Sequence, residues 1–355
     1  MPDTPRIAVI GAGWAARIAH LPAYGANGVT PVAIADLNEL VAGDQAKRHK
    51  IPNVYSDWRE MIAKEKPDAV SVCVPNVYHR ELVLGCLEAG IHVICEKPLA
   101  TSVAEAEEMF AAADKAGKSL MAAQNWRWND NSRAIRRIVD SGDMGEVYYA
   151  EATAMRRLGI PTWGQFHYKQ HSHGGALLDV GVHMLDLAVY LMDNPKPVRV
   201  SAQMAAKFGK RPEVAKQLRN AWDPAKFDVE DFAVALIQFD NAATLLLRAS
   251  WATHIDAETF TVRLCGTEAG ATTTPPMVYR DHAGIPVDEK LQVPQTEWTT
   301  SYTREIAHWL KVVRGEAKPM VKPEETLNVQ RIIDAAYRSA EEGREVECGT
   351  VRVSP

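Results

Sequence analysis

The sequence predicts an α/β protein in two parts. A doubly wound parallel sheet forms the N-terminal part, and an α+β domain with a large open, mostly antiparallel sheet follows. Three observations predict this. Up to about residue 125, short apolar runs alternate with helical segments, the mark of βαβ units covered on both faces. A Gly11-x-Gly13-x-x-Ala16 turn directly follows the first apolar run. Beyond residue 125 the runs lengthen, alternate with period two and have few helices between them.

The elements follow in order. Arg6–Ile10 is the first strand and Thr30–Ala35 the second, ending at Asp36. Glu39–Lys50 is amphipathic. Asp57 reads as a helix N-cap, with Glu60 three residues on completing a capping box. Asp68–Val74 has a buried-strand pattern, His79–Ala89 is helical and closed by Gly90, and His92–Cys95 is the next strand. Ser102–Ala116 is an alanine- and glutamate-rich helix ended by Gly117, and Ser119–Ala123 is a further strand. In the second part Glu146–Arg157, Val198–Phe208, Asp231–Phe239, Ala243–Trp251 and Thr259–Gly266 read as strands, with a hairpin turn at Phe239-Asp240-Asn241-Ala242. Helices are expected near Ser301–Arg314 and Glu324–Glu342. The expected domains are 1–125 and 126–355, with the C-terminal segment free to pack back on the first. One face of the second sheet packs on helices; the other needs a cover, and a second subunit is one.

The 355 residues suffice for two domains. Apolar residues make up 46% and charged residues 24%, which argues against disorder. The formal net charge is -5, and no basic block marks a nucleic-acid partner. No apolar run of about 18 residues is seen, so no membrane span is expected. The opening Met1-Pro2-Asp3-Thr4-Pro5-Arg6 lacks the charged-then-apolar layout of a secretory signal. Five cysteines, with no C-x-x-C pair, read as reduced thiols of a cytoplasmic protein.

The glycine turn sits where a dinucleotide fingerprint must sit. Gly11 permits the tight turn, and Gly13, followed by Trp14 and Ala15, lets the backbone approach a pyrophosphate at the helix N-terminus. Ala16 replaces the third glycine and still allows close packing. Asp36 lies 25 residues beyond Gly11, at the end of the second strand, where an acid accepts hydrogen bonds from the adenosine ribose and repels a 2′-phosphate. Leu37 follows it, where a phosphate site favours a basic residue. NAD is therefore expected rather than NADP. The competing reading is that Asp36 only caps the next helix.

Two further segments carry chemistry. Glu96-Lys97-Pro98 ends a buried strand, where open α/β sheets place ligands. Pro98 restricts the Lys97 backbone and so fixes where that side chain points. Taken alone, a lysine at a strand end is commonplace. The second segment runs from Gly174 to Asp186. If it is helical, Asp179 and His183 are four apart on one face, and an acid can orient an imidazole base. An Asp-x-x-x-His pair on a helix has a purely structural reading as well. The histidine-rich stretch Phe166–His173 has no diagnostic metal spacing, and no metal is expected. Trp163, in the loop Arg156–Gly164, offers a flat apolar ring to a sugar or to nicotinamide, or only anchors the loop.

Together these segments resemble the glucose–fructose oxidoreductase / inositol dehydrogenase / rhizopine catabolism family, the Gfo/Idh/MocA family. The matching elements are Gly11-x-Gly13, Val74-Pro75-Asn76 with His79, Glu96-Lys97-Pro98 and Asp179-x-Gly181-x-His183, in order and along essentially the whole chain. The resemblance implies a Rossmann domain and an NAD-dependent oxidoreductase acting on a secondary hydroxyl of a sugar, sugar derivative or cyclitol. It implies that Lys97 hydrogen-bonds the reacting hydroxyl and that His183 exchanges its proton, with Asp179 alongside. Pro75, Asn76, His79, Glu96 and Asn125 are expected at the cofactor. Arg157, Trp163 and Tyr302 are expected at the substrate, Trp163 also near nicotinamide. A homodimer or homotetramer through the second sheet is implied too. Asn125-Trp126-Arg127-Trp128 and the loop carrying Trp163 depart from commoner members. A redox-cycling glycosidase, working through transient C3 oxidation and elimination, would need the same residues. A reductase using NADPH and an NAD-sensing regulator are the remaining readings.

Overall fold

The computed structural model describes residues 4–294 and 296–349. They form two compact units. One holds the described residues up to Trp128 together with Thr296–Pro323; the other runs from Asn129 to residue 294 and from Glu324 onward.

The first unit is built on six parallel strands: β1 (Ile7–Ile10), β2 (Ala33–Ala35), β3 (Asn53–Tyr55), β4 (Ala69–Val72), β5 (His92–Cys95) and β6 (Leu120–Ala122). Their order is β3-β2-β1-β4-β5-β6. All neighbouring pairs are parallel, so the order reverses between β1 and β4, the place where doubly wound sheets bind ligands. Every residue of β1, β2, β4 and β6 is buried, as expected of strands covered on both faces. β3 lies at the edge and is only partly buried. It carries no apolar run, so no strand was expected there.

The capping box at Asp57 is corrected. The Asp57 carboxylate accepts from the Arg59 N–H at 2.8 Å, but Glu60 pairs with Lys64 one turn on. An exposed glutamate gains as much from an i,i+4 lysine as from reaching back to the cap.

The second unit carries nine strands: β7 (Val147–Met155), β8 (Pro197–Ala205), β9 (Phe232–Phe239), β10 (Thr244–Ser250), β11 (Thr259–Gly266), β12 (Ala269–Thr273), β13 (Pro276–His282), β14 (Ile285–Lys290) and β15 (Val346–Glu347). The order is β14-β13-β12-β11-β7-β10-β9-β8-β15. Only β7 and β10 pair in parallel. The helix Val182–Leu191 packs on β7, β10 and β11, and the helix Asp130–Asp140 on β12 and β13. Ala150, Ala152, Ala154, Leu245, Leu247 and Ala249 are buried at alternate positions of β7 and β10. The opposite face carries Leu236, Leu246 and Glu151 in one cross-strand row.

The stretch Lys169–Leu191 is long and apolar enough to cross a membrane by length and composition, which corrects the reading that no such run exists. Of its apolar 18-residue window, 83% is buried inside the protein, as in a core helix. The segment read for a leader begins with Met1–Asp3, which lie outside the described residues.

Candidate active site

In the first unit the glycine turn has the form the fingerprint requires. Gly11 has φ +95°, and a Cβ on it would run into the Cys73 carbonyl. Its N–H donates to Ala35 O at 2.8 Å. A Cβ on Gly13, in contrast, would meet nothing within 4 Å, so the backbone there is bare and can be approached closely. Trp14 begins the helix that runs through a π-turn (Ala16–His20) into Leu21–Ala26. Its first N–H groups have no partners within the helix and favour an anion.

Asp36 performs two tasks. Its Oδ2 accepts the Ala12 N–H at 2.7 Å and its Oδ1 the Asn38 N–H at 2.8 Å. The carboxylate is thus held against the glycine turn, and each oxygen keeps a lone pair for a ribose hydroxyl. The capping residue of the next helix is Asn38, whose side chain accepts from Val41 N–H. These residues fit a bound dinucleotide.

Around the end of β5, His79 is fully buried, with Nδ1 2.9 Å from Pro98 O and Nε2 2.9 Å from Val74 O. The ring packs between the Val74-Pro75-Asn76 turn and the Glu96-Lys97-Pro98 turn, and its neutral form donates to one of the two carbonyls. Burial pushes its imidazole down. Asn76 is buried, and Pro75 is exposed. Glu96 Oε1 lies 2.9 Å from His20 Nε2. Asn125 is also buried and donates through Nδ2 to Ser301 Oγ at 3.2 Å. Trp14 stacks on Trp298 (6.4 Å, 21°), and Tyr302 meets Trp298 edge-on. Trp298 was not found from sequence; it lies in a loop with no motif around it.

In the second unit Asp179 and His183 lie on one helical run, as expected, but the run opens with a π-turn, Leu177–Gly181, before Val182–Leu191. Asp179 Oδ2 accepts from the Trp251 indole N–H at 2.8 Å, and Trp251 is fully buried. The π-turn therefore presents an acid held by the end of β10, with a half-buried imidazole four residues on. Arg157 and Trp163 are exposed on the loop after β7.

The start of that run is fixed by a residue the sequence did not flag. Glu230 receives the Gly175 N–H on both carboxylate oxygens and the Leu177 N–H on Oε1, each at 2.9 Å. Tyr337 Oη donates to Oε1 at 2.9 Å. A Cβ on Gly174 would run into Tyr337, and one on Gly175 into the Glu230 carbonyl. Burial pushes the Glu230 carboxyl up, and these donors oppose it. Only a glycine pair can approach so closely. Glu230→Gln is expected to leave one buried donor unsatisfied, at a cost of about 1–3 kcal/mol. Denaturant titration checks it; an unchanged midpoint would count against the cap.

Among the described residues no group of three or more His, Cys, Asp or Glu is placed to hold a metal ion.

Residues 5–124 match the family profile described as oxidoreductase family, NAD-binding Rossmann fold. Residues 136–348 match the one described as oxidoreductase family, C-terminal alpha/beta domain. The chain is 36% identical over 346 residues to D-glucoside 3-dehydrogenase of Escherichia coli (strain K12), covering 96% of this chain and 97% of that one. It is 27% identical over 352 residues to myo-inositol 2-dehydrogenase of Thermotoga maritima, covering 96% and 98%. The structure of levoglucosan dehydrogenase in complex with NADH and levoglucosan shares the fold, with TM-score 0.86, 23% identity and coverage of 98% and 100%.

Proposed function

The chain belongs to the NAD-binding oxidoreductase family of Rossmann fold, the Gfo/Idh/MocA family, and from that premise we propose that it oxidises a secondary hydroxyl of a sugar, sugar derivative or cyclitol, a glucoside hydroxyl at position 3 first among them. The observation that carries this reading is the 36% identity to a D-glucoside 3-dehydrogenase along nearly the whole chain. Lys97 at the end of β5 and His183 behind the π-turn supply the acid–base groups that such a reaction needs.

The assigned roles follow the chemistry. Gly11, Gly13, Trp14 and Ala15 bind the pyrophosphate, and Asp36 the adenosine ribose. Pro75, Asn76, Glu96 and Asn125 bind toward the nicotinamide ribose, with His79 packed between two of those turns. Lys97 donates a hydrogen bond to the oxygen of the reacting hydroxyl, and His183 takes its proton. Asp179, fixed by Trp251, orients the substrate. When bound, NAD accepts the hydride from the carbinol carbon. Arg157, Trp163 and Tyr302 contact the sugar, with Trp163 also near nicotinamide. The open face of the nine-stranded sheet, with Leu236 exposed on β9, serves as the homodimer or homotetramer surface. The free cysteines suit a cytoplasmic setting.

The test is incubation with NAD and a panel of glucosides, monosaccharides, inositols and anhydrosugars, following NADH absorbance and aglycone release. One NADH formed per sugar oxidised supports the dehydrogenase. Aglycone release without NADH accumulation favours redox cycling through the same position-3 oxidation; no reaction with any polyol sinks both.

Coenzyme choice is checked separately. Asp36→Ala is expected to lower kcat/KM for NAD by about 10–100-fold, the loss of hydrogen bonds to a charged group. Adding Leu37→Arg is expected to raise use of NADP. If Asp36→Ala leaves the NAD value unchanged, the carboxylate serves the glycine turn alone.

A further inference from the structure

We propose that His20 is a positioning residue for the nicotinamide end of the coenzyme, acting by holding the Glu96 carboxylate in place from the helix behind the glycine turn. The inference rests on the assignment of Glu96 to the nicotinamide ribose.

His20 lies nine residues beyond Gly11 and is 1% exposed. Its helix could have put a leucine there. A buried imidazole is unfavourable unless its nitrogens are engaged, and both are. Nε2 is 2.9 Å from Glu96 Oε1 and Nδ1 is 3.1 Å from Ser71 Oγ, which in turn lies 2.8 Å from Tyr24 Oη. One ring therefore joins three pieces of the nucleotide unit: the helix after the fingerprint, β4 through Ser71, and the Glu-Lys-Pro turn through Glu96. The other Glu96 oxygen is 3.4 Å from the Lys97 N–H, so the contact reaches the backbone of the lysine assigned to the reacting hydroxyl.

The charges agree with the geometry. Burial opposes a charge on the His20 ring, but the Cys73 sulfur and the Glu96 carboxylate beside it outweigh burial and push the imidazole up. Burial pushes the Cys73 and Cys95 thiols up as well, which leaves Glu96 as the charged partner. Burial alone would raise the Glu96 carboxyl; His20, Lys97 and His79 hold it below its usual range. Tyr24, on the far side of Ser71, is pushed up by burial and stays a neutral phenol. A raised imidazole keeps its contribution until pH rises through that raised value, and a lowered carboxyl keeps its own until pH falls through its lowered value. The pair thus persists across the neutral range.

The test is NADH binding to the full chain, followed by coenzyme fluorescence from pH 6 to pH 9, for wild type, His20→Gln, Glu96→Gln and the double variant. Glutamine keeps a donor near Nε2 but cannot carry the charge. Wild-type affinity is expected to be flat. His20→Gln is expected to bind about tenfold more weakly at pH 6 and to recover as pH rises, because a buried carboxyl without its cation holds a proton longer. Glu96→Gln is expected to be weak and flat, and adding His20→Gln to it changes nothing further. Wild-type affinity and a flat profile in His20→Gln, with Glu96→Gln impaired, overturn the inference. Wild-type binding in Glu96→Gln overturns the Glu96 assignment instead. Should His20→Gln fail to fold, the double variant has no buried charge; additive loss relative to Glu96→Gln then overturns the inference.

Discussion

Lys97→Ala is expected to lower kcat/KM for the sugar by about a thousandfold while NADH binding stays within a few-fold of wild type. The asymmetry follows from where the lysine sits. The coenzyme contacts proposed for the glycine turn and Asp36 do not involve it, and that turn is fixed by the contacts of Asp36 with Ala12 and Asn38 and of Gly11 with Ala35. The Lys97 backbone is secured independently, by the His79 contacts to Pro98 and Val74. Truncation therefore removes the side chain without collapsing the turn. Lys97→Arg is expected to be nearly as inactive, because a bulkier planar fork is the wrong shape to donate to one hydroxyl oxygen from that position. Steady-state kinetics with coenzyme titration checks both. A variant that keeps a tenth or more of wild-type kcat/KM would remove Lys97 from the chemistry.

His183→Asn carries the second large effect, a fall in kcat of about 10²–10⁴-fold, the usual worth of a positioned general base. Asparagine fills most of the space and can hydrogen-bond, so KM is expected to change little. The run that bears it is anchored at its start by Glu230 and at its π-turn by Trp251, neither of which His183→Asn touches. A near-wild-type melting temperature with lost turnover separates chemistry from folding. If kcat stays high and only KM rises, His183 binds the sugar and some other group moves the proton.

The sequence made the two sheets legible for a physical reason. Strands such as Ala69–Val72 and His92–Cys95 are covered on both faces, so nearly all their residues are apolar, and the glycine turn identifies itself by position. The elements it did not reveal lack that pressure. β13 and β14 form a hairpin with charged residues at the surface; its turn, Ala283-Gly284, has φ of 52° and 78° at the two positions, a primed hairpin turn without the usual Asn-Gly letters. The helix Asp130–Asp140 buries little beyond Ser132 and Ile135, so its arginines dominate the pattern. Among the residues proposed for the site, those carried by motifs, such as Lys97 and His183, could be proposed from the sequence alone. Glu230, Trp251 and His20 could not, because each acts through a partner far away in sequence: 55 residues from Glu230 to Gly175, 72 from Trp251 to Asp179, 76 from His20 to Glu96.

The nucleotide-binding unit closes only with a segment that arrives late. Asn27 donates to Thr303 O, Asn125 to Ser301 Oγ and Arg304 to Trp128 O, and Trp298 stacks on Trp14. During synthesis, residues 129–295 must therefore leave the ribosome before the first sheet gains its last helix. N-terminal domains ordinarily fold first and alone; here the contacts of the late segment can form only after the second unit has been made. A gene fragment ending at residue 128 is thus a poor source of a coenzyme-binding module. Joining residue 128 to Thr296–Pro323 through a short linker, in place of the second unit, is the more promising design for recovering one.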